Sequence, residues 1–152
     1  MAVEEASLKS CLLPLAIAGV MAAAGYAVFT AQSGGADAFA DGGAPYLDAL
    51  VRGDWAGAAE ADHPVRDARP DALGAAWTAR QERLGDLTSW SLHVVNPGQD
   101  SDGPFLRAES ILTFEEASGP VGLNLVLRPH GGVYRVHSAS PPPRSASDDG
   151  LW

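Results

Sequence analysis

The chain has 152 residues, of which 46% are apolar and 19% charged. That suits one folded domain with short appendages, and it excludes whole-chain disorder and two full domains. The formal net charge is −9, and Lys9 is the single lysine among ten basic residues. So acidic a chain repels phosphate backbones, which leaves nucleic acid out of the expected partners. Its one cysteine, Cys11, excludes an internal disulfide and a cysteine zinc site.

No charged residue occurs between Lys9 and Asp37, and Cys11 to Ala31 is almost wholly apolar. As a helix rising ~1.5 Å per residue, 11–31 spans about 31 Å, which matches a hydrocarbon core of ~30 Å. The reading is an uncleaved transmembrane anchor. A cleaved signal peptide is the rival, with a small-x-small site at Ala38-Phe39-Ala40, but Glu4 and Glu5 offset the positive charge such a leader needs. With Lys9 before the span and no Lys or Arg until Arg52, residues 1–10 are expected in the cytoplasm and the rest outside. Residues 32–41 (QSGGADAFAD) read as a flexible linker, 42–138 as the folded domain and 139–152, with three consecutive prolines, as a disordered tail.

The domain opens with helical signals. Tyr46, Leu47, Leu50 and Val51 share a face over 45–52, and Gly53 interrupts them. Asp54 caps a short second helix carrying Trp55, Ala58 and Ala59. Pro70 opens a third helix with Leu73, Ala76, Trp77 and Leu84 on one side, and Gly85 ends it. Beyond Gly85 the period changes to two. Trp90, Leu92 and Val94 alternate with Ser91, His93 and Val95, and Asn96-Pro97-Gly98 starts a loop to Gly103. Phe105–Phe114 and Val121–Arg128 form two further strands, and Tyr134 and Val136 mark a fourth after His130-Gly131-Gly132. The expected fold is α+β, with three helices packed on a curved four-stranded antiparallel meander.

Three pieces in this order resemble the nuclear transport factor 2-like superfamily, the cystatin-like α+β cone. They are Tyr46–Ala59 with its Gly-Asp corner, the helix around Trp77 preceded by Pro70, and the closing hairpin Leu125–Val136 with its Gly-Gly turn. The likeness covers residues 40 to 138. It implies a sheet wrapped around a helix with a pocket at the open end, and it is similar to bacterial members that carry one N-terminal membrane helix and no assigned activity. Enzymes of the superfamily, such as ketosteroid isomerases and polyketide-cyclase types, place Asp, His or Tyr inside the cone, where burial raises a carboxyl pKa.

The strand phases put Trp90, Leu92, Val94, Leu106, Ala108, Ser110, Leu112, Phe114, Leu123, Leu125, Leu127, Tyr134 and Val136 inside, with no acid or His among them. Tyr46, Trp55, Trp77, Trp90 and Tyr134 are the candidate core or pocket lining. Val95, Ile111, Val126 and Arg128 form a candidate partner face, on which two copies would pair through the outer side of the sheet. His63 lies near Asp62 and Asp67, a setting for a general base or a metal ligand, but a solvated His before Pro suffices. His93 and His137 share the outward phase and would approach if their strands were neighbours, though no third metal ligand is visible. No catalytic residue, metal or cofactor is assigned. The expected function is a single-pass membrane-anchored external domain, non-catalytic, which binds a small ligand or a protein partner. A membrane-tethered lyase or isomerase is the alternative.

Overall fold

A computed structural model describes residues 34–141. The anchor at 11–31 and tail positions 142–152 lie outside the described residues. No helix among the described residues is long and apolar enough to cross a membrane.

Three α-helices precede a four-stranded antiparallel sheet of order β1-β2-β3-β4, so the fold is α+β. Helix α1 occupies 34–52, α2 Trp55–Ala61 and α3 Pro70–Leu84, with a 3-10 turn at Pro64–Arg66. The strands are β1 Leu87–Asp100, β2 Gly103–Phe114, β3 Val121–His130 and β4 Val133–Ser140. One apolar cluster joins Phe39, Tyr46, Leu47 and Leu50 of α1 and Trp77 of α3 to Leu106, Leu112, Leu123, Leu125, Leu127 and Val136 of the sheet.

Helix α1 corrects the expected linker at 32–41, because 34–41 is helical and Phe39 is buried. Its buried stripe runs Gly35, Phe39, Gly42, Gly43, Tyr46, Leu47, Ala49 and Leu50, a helical spacing filled partly by glycines. Glycine disfavours an isolated helix. Here it lets the helix backbone touch the sheet, since a Cβ at Gly42 would overlap the carbonyl oxygen of Tyr134. Pro45 sits inside α1 on its exposed side.

The loop expected at 96–103 is also corrected. Strand β1 continues through Pro97, paired with Leu106, to a tight turn at residues 101 and 102. Pro97 is tolerated because β1 is an edge strand, so its missing N–H breaks no second ladder. A register shift between Leu92 and Val94 reverses the alternation. Val95, opposite Ala108, therefore packs on the core and lies over Gly35, while Val94 stands opposite exposed Glu109. Val95 thus leaves the partner face and Val94 leaves the interior. Residues 139 and 140, expected in the tail, belong to β4, where Ala139 pairs with Leu125 and packs on the core.

Alanine substitutions on one face of α1 should separate contact from propensity. Gly35→Ala places its Cβ at an ordinary 3.7 Å from Val95 and should stabilise the fold by up to about 1 kcal/mol. Gly42→Ala must displace β4 and should cost about 1–3 kcal/mol or more. Urea unfolding of the two variants checks the opposite signs.

Candidate functional site

The segment between α2 and α3 builds the polar end of the domain. Asp54 caps α2 by accepting a bond from the Gly57 amide (2.9 Å), and α2 delivers Asp62 and His63 to the free side of β4. There Asp62 makes a parallel bridge to Val136, and the His63 amide donates to the Val136 carbonyl (2.8 Å). The Val65 amide donates to His63 Nδ1 (3.2 Å), which starts the 3-10 turn, and Asp67 closes it in a left-handed conformation (φ 46°).

Asp62 is the residue that the strand phases miss. Only 1% of its side chain is exposed, and it pairs with Arg66 one helical turn on. Its Oδ2 is buried without a hydrogen-bond partner among the described residues. Burial raises its pKa to about 6 against the opposing pull of Arg66. Close to it lies Tyr46, whose pKa is raised by burial and then by the Asp62 charge, against the opposing pull of Arg66. The signal missed is positional. Asp62 lies in a loop whose sequence carries no inward phase, and only its bridge to β4 carries it inside.

The histidines regroup. β1 and β4 are opposite edges of the sheet, so the strands of His93 and His137 are not neighbours and the condition for their approach is not met. His63 instead meets His130 and His137, with ring centroids 5.2 and 5.4 Å away. His137 occupies a register shift of β4, between partners Val136 and Ser138. Burial lowers the pKa of His63, and so does repulsion from His137, His130, Arg128 and Arg135. No group of His, Cys, Asp and Glu among the described residues is arranged to hold a metal ion.

The aromatic candidates do not share one chamber. Tyr46 and Trp77 are buried and edge a cleft of about 170 Å³ with Arg66 and Leu73. Tyr134 edges a second, of about 230 Å³, beside Gly42 and Pro45. Trp55 packs against Gly74 of α3, where a Cβ would come within 2.8 Å of the indole. Trp90 stacks edge-on against Phe39 (6.0 Å) and donates to Asp48 (2.8 Å). A cleft of about 390 Å³ opens between the 62–67 segment and the β3–β4 hairpin, bordered by Glu60, His63, Asp67, His130 and Arg135.

On the outer sheet face Ile111 and Val126 are half-buried. Arg128, whose side chain is 13% exposed, is held by Asp100 (2.6 Å) and lies 5.5 Å from the Phe105 ring. Its charge is therefore engaged within the fold. Comparison with protein-family models, curated proteins and solved structures returns no match.

Asp62 fixes a pH dependence. Its folded pKa of about 6 exceeds the ordinary 3.8, so the folded chain holds an extra proton between those values. The stability this contributes is complete below 3.8 and is lost as pH rises through about 6. At about 1.4 kcal/mol per pKa unit the loss is about 3 kcal/mol. His63 acts in the opposite sense, because its lowered pKa gives stability that is lost as pH falls below 6.5. Comparing wild type with Asp62→Asn isolates the first effect. Wild type should lose about 3 kcal/mol relative to the variant between about pH 4 and 7. A constant difference in urea unfolding would contradict the assignment.

Proposed function

We propose that this chain is a membrane-anchored domain, held outside the cytoplasm by residues 11–31, which binds a small ligand or a protein partner without transforming it. The observation that carries the non-catalytic part is the sealing of Asp62. A general acid or base must come within hydrogen-bond reach of its substrate. Asp62 has one oxygen bonded to Arg66 and the other closed off from solvent. The interior is also filled, with Tyr46, Leu47, Leu50, Leu125 and Leu127 at most 1% exposed. What remains accessible is the rim. Its clefts are accompanied by the large apolar side chains Val65 (67% exposed) and Val133 (40%), one on the 3-10 turn and one on the β3–β4 hairpin. Exposed apolar groups beside polar clefts suit recognition.

The pKa of Asp62, near 6, favours a second reading as a lyase or isomerase of the type the resemblance implies. Carbodiimide labelling of the native full chain, read by mass spectrometry, separates the two. Asp62 should stay unmodified while exposed Glu60 and Asp67 react; rapid labelling of Asp62 would favour the enzyme. Mass measurement of the mature protein from membranes tests the anchor. The expected chain retains 11–31, and one beginning beyond residue 31 would defeat it.

A further inference from the structure

We propose that the cleft between α3 and the end of β4 is a docking groove for an acidic segment with an aromatic anchor, and that its occupant is residues 148–152 of this chain (Asp-Asp-Gly-Leu-Trp). Trp152 enters the cleft, and Asp148 and Asp149 lie over the arginines beside it. This goes beyond the binding reading above and does not depend on it.

The first argument is size and lining. The cleft holds about 170 Å³, walled by Tyr46 of α1 and by Leu73, Ala76 and Trp77 of α3. Small-molecule sites run from roughly 300 Å³ upward, so this one suits a single large side chain. Trp is among the side chains that anchor interfaces in this way.

Charge gives the second argument. The charged lining is Arg66 and Arg80, and no carboxylate lines the cleft among the described residues. Arg66 is paired with Asp62, so Arg80 sets the sign, with Arg83 one turn further along α3. Of the acids on the surrounding elements, Asp71 is held by Arg69, and Asp67 borders other clefts. Glu82 is two residues from Arg80 and so faces another side of the helix. The Arg80 guanidinium lies 4.5 Å over the Trp77 ring. An incoming indole on its opposite side makes a second contact of the same kind.

Reach gives the third. Pro141, the last described residue, itself lines the cleft. Fully extended, 142–152 spans up to about 36 Å at ~3.3 Å per residue. The helix from Leu73 to Arg83 is only about 15 Å long, so the segment can turn back and still cover it. Residues 142–147 (PPRSAS) bring neither an acid nor a large apolar side chain, which is why the occupant is 148–152. Tethering at the rim gives an effective concentration on the order of mM, which favours this chain's own segment over that of a second copy.

The test is fluorine NMR of the full chain labelled with 5-fluorotryptophan, at low protein concentration, with a soluble paramagnetic agent. The chain has four tryptophans, and Trp152→Phe assigns the resonance in question. In the docked chain the agent should broaden the Trp152 signal about threefold less, or lower still, than in a free Ser145–Trp152 peptide. Trp152→Phe should also move the Trp77 signal. Arg80→Gln, and separately Asp148→Asn with Asp149→Asn, should each raise the broadening about twofold. Unmoved Trp55 and Trp90 signals show the fold intact in each variant. Broadening equal to the peptide's, a Trp77 signal indifferent to Trp152→Phe, or protection that survives both charge variants would overturn the proposal. Protection that grows with protein concentration would place the segment in the cleft of a second copy and overturn the intramolecular occupant.

Discussion

The attachment of Asp62 and His63 to the free edge of β4 organises everything around it. One backbone bridge to Val136 and one amide bond from His63 hold the α2–α3 connection against the sheet. With the backbone so fixed, the Asp62 side chain has nowhere to go but inward. Its desolvation is only partly offset by Arg66, and that imbalance raises its pKa. The same attachment brings His63 to two histidines from the hairpin. A carboxylate sealed inside and an imidazole cluster outside are thus consequences of one short pairing.

Close packing of α1 supports that arrangement from the other side. Gly42 lets α1 press on Tyr134 in β4, and Tyr46, one turn further along, reaches the polar pair formed by Asp62 and Arg66. Apolar packing, backbone approach and a buried ion pair therefore meet at the mouth of the structure. The clefts lie around this mouth because the rest of the interior is filled.

Charge is distributed unevenly for a chain of net −9. Arg128 is neutralised by Asp100 across β2, and Arg66 by Asp62. Around His63 the rings of His130 and His137 stand close, and burial first, then repulsion from the neighbouring basic groups, lowers the His63 pKa.

Amino-acid pattern alone determined the class of the fold. Alternation in Phe105–Phe114 and Val121–Arg128, Pro70 at the start of α3 and Gly85 at its end are local signals whose physics needs no distant partner. Tertiary structure decided the rest. A β-bulge moves Val95 to the core at no visible cost in sequence, because one extra residue reverses every later side chain. Gly35 reads as linker until a sheet is present for it to touch, through Val95 and Leu106. Asp62, His63, His130 and His137 are separated along the chain, and a loop carries no periodicity from which to read direction. Their meeting depends on a bridge between Asp62 and Val136, a long-range contact that no local pattern encodes.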